Sequence, residues 1–318
     1  MNNLILQPAG NADAREHYLD TVQVTVSLDA VKHHLTAGQT ARINEVYPSG
    51  LFRCWGVTPS KTNIGKWERI QTGDVTLFAR QGKIFGKATT TMKFHNRALA
   101  QELWKTNKEG DTWEYMYFLD EVEKLDVPYL EFNKIIGYEP NYVIQGFNVL
   151  RYDKARKVFD ALGLWSDTFY PDASEEEFIE AVLQLDETDA KTQSKVRLEQ
   201  GFLRRHLFGS KVTDQCSCCG DTFPVSMLVT AHIKPRKHCS HDEKLDKNVV
   251  IPMCKFGCDE LFEKGFIVVK KRKVQKGRIF EATPAVEAKI SLLSGRELIG
   301  VNLGNEDYFE WHRKHHCD

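Results

Sequence analysis

The chain has 318 residues, 42% of them hydrophobic and 27% charged, enough apolar material for two domains of ordinary size rather than one. Its 43 Lys and Arg nearly balance 44 Asp and Glu, for a formal charge of -1, which argues against a general polyanion binder. No run approaches the roughly 20 apolar residues that span a bilayer. The start, Met1-Asn2-Asn3-Leu4-Ile5-Leu6, lacks the basic and apolar regions of a signal peptide, so a cytoplasmic protein with no membrane contact is expected.

Taken in order, residues from about 18 to 150 read as a mixed α/β module. Val22-Gln23-Val24-Thr25-Val26-Ser27-Leu28 alternates at strand period, and Gly73-Asp74 reads as a turn feeding a strand through Ala79. Further strands are expected over Lys83–Ala88 and Trp113–Leu119, with helices near 94–106 and 129–136. The next stretch, about 151–206, reads as a helical connector. There Ser174, followed by Glu175-Glu176-Glu177-Phe178, has the form of a capping box with Glu177 as its partner, opening a helix towards Leu185. A second helix is expected over about 190–206.

Charge is unevenly placed. Residues 231–280 hold 13 Lys and Arg against 6 acids, whereas 158–190 contain ten acids and no Lys or Arg. A basic module beside an acidic segment can bind nucleic acid locally despite a neutral total.

Of the eight cysteines, six fall between Cys216 and Cys258, and Cys54 and Cys317 stand alone. Such clustering in a reducing compartment favours a metal over disulfides. Cys216-x-x-Cys219 followed by Cys254-x-x-x-Cys258 makes two knuckles whose four thiolates suit a closed, tetrahedral structural zinc. Cys218 is a spare that could stand in for Cys219.

Between the knuckles lie Thr230-Ala231-His232-Ile233-Lys234-Pro235 and Asp246-Lys247-Asn248-Val249-Val250-Ile251-Pro252-Met253, and the second knuckle leads into Cys258-Asp259-Glu260-Leu261-Phe262-Glu263-Lys264-Gly265. Over about residues 197–270 the chain resembles HNH endonucleases, in which two strands and a helix clasp one divalent ion. The resemblance implies catalytic roles for His232, Asn248 and Asp259. His232 would be the general base, with an intrinsic pKa suited to that task. Asp259 would ligate a magnesium or manganese ion that stabilises the charge on the phosphate. Asn248 would position the His loop or assist at the metal. The sequence departs from the family in two places. Asp259 stands where His or Asn is common, and Ala231 stands where many relatives carry an acidic ligand, which leaves the first metal ligand open. Beyond the helix, Ile267–Lys273 and the following Gln275-Lys276-Gly277-Arg278-Ile279-Phe280 read as a β-hairpin with a basic edge.

In the first module, Leu51–Trp67, the Gly73-Asp74 turn, Trp113–Leu119 and Leu130–Tyr138 together resemble the EVE/YTH-like branch of the PUA superfamily over about 45–150. Members of that branch hold a modified base in an aromatic pocket. A flipped base needs flat walls and polar groups for its edge, and Trp55, Asn63 and Trp67 are the candidates for that pocket. Trp104, Trp113 and Tyr117 read as core.

The expected fold class is therefore α+β, with a PUA/EVE-like β-barrel reader (1–150), a helical connector (151–206) and a zinc-bound HNH ββα-metal nuclease domain (207–318). The combination resembles modification-dependent restriction endonucleases, whose reader localises a weakly selective nuclease on double-stranded DNA carrying 5-methylcytosine or 5-hydroxymethylcytosine. A sequence-specific HNH restriction enzyme and a non-catalytic zinc-containing nucleic-acid-binding protein are the alternatives. One HNH site cuts one strand, so a double-strand break would need a homodimer or two successive events.

Overall fold

Leu4-Ile5-Leu6, which the sequence reading left without a strand, forms the inner part of the first half of the molecule. In the computed structural model, which describes residues 2–164, 168–169, 175–184, 192–278 and 282–317, the chain divides into two compact units, Met1–Asp172 and Ala173–Asp318.

In the first unit, strands β1 (Leu4–Pro8), β2 (Val26–Ser27), β3 (Leu51–Val57), β4 (Val75–Arg80), β5 (Lys83–His95), β6 (Tyr115–Pro128) and β7 (Asn148–Leu150) pair in the order β2-β3-β6-β5-β4-β1-β7. β1 is parallel to β4, and the other pairs are antiparallel. Strand alternation sends side chains to both faces. Leu4, Leu6, Val75, Leu77 and Ala79 join one apolar cluster, and Ile5, Phe78 and Val149 join the other. Helices α1 (Ala12–Tyr18), α2 (Leu28–Val31), α3 (Ala37–Val46), α4 (Lys61–Trp67), α5 (Arg97–Trp104), α6 (Tyr129–Ile136) and α7 (Tyr152–Leu162) complete the unit. α6 and α7 bury Phe132, Ala155, Val158 and Phe159 in the first cluster, and α1 buries Ala14 and Tyr18 in the second.

Three expectations change here. The β-barrel is instead a sheet with β2 and β7 at its edges. These edge strands are two and three residues long and do not pair with each other among the described residues. Over Val22–Leu28, a π-helical turn (Leu19–Gln23) replaces the front of the expected strand. Val22 reaches the core from that turn while Val24 stays 60% exposed, so the alternation there did not mark one buried face. The helical stretch 151–206 is also shared out: α7 packs in the first unit, whereas the next two helices bury Phe178, Val182, Leu203 and Phe208 in the second.

Gly56 on β3 is required by close packing. A Cβ there would lie 2.0 Å from the Trp113 carbonyl oxygen and 2.8 Å from the Trp104 ring. Gly56→Ala is expected to cost the first unit about 1–3 kcal/mol, the usual range for overpacking, read as a lowered thermal midpoint of that unit. An unchanged midpoint would contradict this packing.

The second unit contains α8 (Glu175–Gln184), α9 (Thr192–Phe208), β8 (Thr213–Gln215), β9 (Thr222–Pro224), β10 (Leu228–His232), α10 (His241–Leu245), β11 (Val250–Cys254), α11 (Cys258–Glu263), β12 (Ile267–Lys270), β13 (Lys273–Lys276), α12 (Pro284–Leu293) and α13 (Glu306–Cys317). Its strands form three antiparallel pairs, β8–β9, β10–β11 and β12–β13. Ser174 of the expected capping box lies outside the described residues, as do Ile279 and Phe280. The β12–β13 hairpin turns through Lys271 and Arg272, both at positive φ, and exposes the expected basic edge. No described helix is long and apolar enough to cross a membrane.

Candidate active site and metal centre

The two cysteine knuckles converge. Cys216 and Cys219 follow β8, Cys254 ends β11 and Cys258 opens α11, and their four sulfur atoms all lie within 4.8 Å of one another. Zinc with bonds of about 2.3 Å to four thiolates fits such a set, so the four cysteines could hold a zinc ion. Cys218 is buried but stands outside the group, which settles Cys219 as the second knuckle member. Hydrogen bonds with Cys216 and Cys258 hold the Cys254 thiol low, and hydrogen bonds with the neighbouring cysteines push Cys258 up. The backbone N–H of Cys254 also donates to the Cys216 sulfur at 3.3 Å.

That junction fixes the next one. β10 pairs with β11 so that His232 lies opposite Val250 and Leu228 opposite Cys254. The loop after His232 is tied back by the Ile233 N–H to the Val249 carbonyl at 2.8 Å. Arg204 on α9 donates to the carbonyls of Leu228 and Val225, bracing the start of β10. α11 then faces the end of β10, and His232, Asp259, Glu263, Thr230 and Arg236 line one cleft of about 290 Å³.

Burial lowers the His232 pKa to about 4, with the Arg236 charge adding to the shift. The imidazole is therefore neutral at pH 7 and able to accept a proton. Asp259 moves the other way, to about 6, through burial and then the nearby charges of Glu263 and Glu260. A cation beside these carboxylates would relieve both effects. Glu263 was not singled out in the sequence, although its place four residues after Asp259 puts both on one helix face. His232, Asp259 and Glu263 are not drawn together closely enough to make a second ligand group. Among the described residues the cysteine set is the one such group.

Asn248 is placed elsewhere. It is not among the cleft's lining residues, and its side chain donates to Asp246 at 2.8 Å and accepts from Asn302 at 3.1 Å. Its carbonyl accepts from the Asn305 side chain. The residue thus joins the end of the β10–β11 loop to the segment before α13, a contact that can position the His loop from outside the cleft.

His312 of α13 packs against α11. Its ring stacks on Phe262 of α11 at 3.8 Å and 5°, its Nε2 lies 2.9 Å from the Phe262 carbonyl, and its Nδ1 is buried without a partner among the described residues. Burial, then the charge of His316, lowers its pKa to about 4. A folded-state value below the unfolded 6.5 makes this contribution complete above pH 6.5 and diminishing as pH falls towards 4. The loss amounts to about 2 kcal/mol by pH 5. His312→Phe, which keeps a stacking ring, is expected to destabilise the second unit at pH 7.5 by more than at pH 5. Urea unfolding at both pH values checks this, and an equal difference at each would refute it.

In the first unit the three base-pocket candidates do not assemble as expected. Trp55 is 2% exposed and packed edge-on against Phe78 at 5.2 Å, so it is a core residue with no face to offer a base. The Asn63 side chain, on the first turn of α4, donates back to the Thr58 carbonyl at 3.1 Å. Trp67 is half-buried, donates to the Met116 carbonyl at 3.0 Å, and carries the Lys93 ammonium 4.7 Å over its ring. Trp104 and Tyr117 are buried as expected. His17 was missed in the sequence. It sits among Trp113, Trp104 and Trp55, with ring centroids at 4.2, 5.6 and 6.4 Å, and burial lowers its pKa to about 4.

No family model and no curated protein matches the chain. Among solved structures, the N-terminal domain of Thermococcus gammatolerans McrB bound to m5C DNA is similar at 19% identity and a TM-score of 0.39, over 51% of this chain and 98% of that one. At that TM-score the likeness assigns neither fold nor ligand.

Proposed function

We propose that the chain is a divalent-metal-dependent DNA endonuclease whose second unit hydrolyses phosphodiesters and whose first unit directs it to cytosine-modified duplexes by holding a flipped base. The observation that carries the nuclease reading is the shared cleft: a neutral His232 on β10 and a carboxylate, Asp259, on α11 line one opening above a four-cysteine staple. His232 takes the proton of the attacking water. Asp259, with Glu263 beside it, is the place for a magnesium or manganese ion, which would neutralise charge on the phosphate and leaving oxygen. In this reading His232 and Asp259 act in the cleft, and Asn248, outside the cleft lining, takes the loop-positioning one of its two expected roles.

The reader half rests on the sequence resemblance over about 45–150. With Trp55 enclosed, the half-buried Trp67 is the remaining aromatic candidate for the pocket. The deciding experiment is cleavage of matched unmodified, 5-methylcytosine and 5-hydroxymethylcytosine duplexes in magnesium or manganese. Cutting confined to modified DNA is expected. Equal cutting into discrete fragments would make the first unit a reader of unmodified sequence. No cutting with either metal would leave a zinc-containing nucleic-acid-binding protein in place of the enzyme.

A further inference from the structure

One guanidinium in the cleft is only half engaged. Arg236, four residues after His232, uses its Nε to donate to both carboxylate oxygens of Glu199 on α9, at 2.8 and 3.0 Å. Glu199 is itself 4% exposed, so the pair is a built feature and not a chance surface contact. Yet Arg236 Nη2 is buried with no acceptor among the described residues. Thr230, which lines the same cleft, also has a buried hydroxyl without a partner among the described residues. Buried polar groups are nearly always satisfied, and an unmet charged donor costs more than a neutral one.

Two unmet donors lining one cleft call for a ligand rich in acceptor oxygens. A guanidinium presents its donors in a fixed planar fork that matches the oxygens of a phosphate. Because Glu199 fixes one edge of that fork, the remaining donor is already oriented before a ligand arrives, which spares the ordering cost of a long side chain. Glu199 also cancels the arginine's net charge, so the subsite depends on direction more than on charge.

We propose that Arg236 Nη2 and Thr230 Oγ1 form an oxyanion subsite that takes a backbone phosphate of DNA, with Glu199 as the positioning residue that aims the guanidinium. The identity of the ligand rests on the nuclease reading, whereas the subsite rests on the donors. The subsite would hold and orient the phosphate by fixed donors, while Asp259 would be the residue to hold an ion that supplies charge stabilisation.

The test uses the full chain carrying His232→Ala, so that cleavage is slow relative to the binding measurement, in magnesium. Two probes are followed: a short duplex by fluorescence anisotropy across salt concentrations, and inorganic phosphate by phosphorus NMR line broadening. Arg236→Gln is expected to weaken both about tenfold and to reduce the salt slope for DNA by about one phosphate contact. Arg236→Lys should recover less than half of the loss, because an ammonium cannot hold Glu199 and a phosphate in the same fork. The pair Glu199→Gln/Arg236→Gln leaves no orphaned carboxylate and should show the same loss in a folded protein. Glu199→Gln alone should weaken phosphate although it makes the site more positive. Binding of both probes within twofold of the parent in Arg236→Gln and in the double variant would overturn the subsite. Tighter binding in Glu199→Gln would overturn the positioning role. Arginine-dependent phosphate binding without DNA binding would keep the subsite and remove the nuclease reading. Absence of both from the parent would overturn the subsite itself.

Discussion

Removing metal from the four-cysteine set, or replacing Cys254 with serine, is expected to unfold Ala173–Asp318 or lower its thermal midpoint by about 10 °C or more, leaving Met1–Asp172 with its own transition. The reason lies in how the second unit is built. Its sheets are three separate two-stranded pairs, and an isolated pair is marginal in water. Cys216 and Cys219 leave β8, and Cys254 and Cys258 join β11 to α11, so one ion would clamp two of these pairs and the helix bearing Asp259. Structural zinc contributes about 10–16 kcal/mol in small finger peptides. In a unit that also has an apolar core only part of that appears as stability, but about 1 kcal/mol already moves the midpoint of a domain this size by about 2–4 °C. Calorimetry with and without a strong chelator reads both transitions. Cys218→Ser serves as the contrast, because Cys218 is buried but outside the set and should lower the midpoint far less. Chelation that leaves both transitions in place would show that the thiols are held without metal.

The parts of this molecule that were legible in the sequence are those where local chemistry decides placement. Four cysteines at knuckle spacing can come together in few ways, and they do. Asp259 directly follows Cys258, and β10, which ends at His232, pairs with the strand that ends at Cys254, so the staple and the cleft share their elements. The helix expected near 129–136 runs Tyr129–Ile136, ended by Gly137 in the left-handed region. What could not be read depends on contacts remote in the chain. The Leu4–Leu6 run is a strand because it slots between β4 and β7, residues some seventy and 140 positions away. Trp55 looked like a loop aromatic, but Phe78 and His17 close over it. Asn248 fitted a motif, yet its partners, Asn302 and Asn305, lie in a segment that no motif marked. Arg236 carried no signal, since Glu199 lies 37 residues earlier on another element.

His232→Ala should leave the protein folded and lower the rate of DNA cleavage by about a hundredfold to ten-thousandfold, the range of a lost general base, with little change in the duplex concentration needed. Asp259→Asn should instead raise the magnesium or manganese concentration required, since it removes a ligand charge and not the base. The two differ further in pH. His232, with its pKa near 4, is already unprotonated across the neutral range, so it places no limb near 6.5. Asp259, raised to about 6, must lose its proton to bind a cation, so proton and metal compete for it. Wild-type cleavage at low metal should therefore fall as pH drops through about 6, and that limb should move to lower pH as the metal concentration is raised. In Asp259→Asn the metal-dependent limb should vanish while the residual rate stays nearly flat down to pH 5. A limb fixed near 6.5 whatever the metal concentration would mean that His232 is solvated and titrating freely in the working enzyme. The cleft geometry would then have to open before DNA is cut.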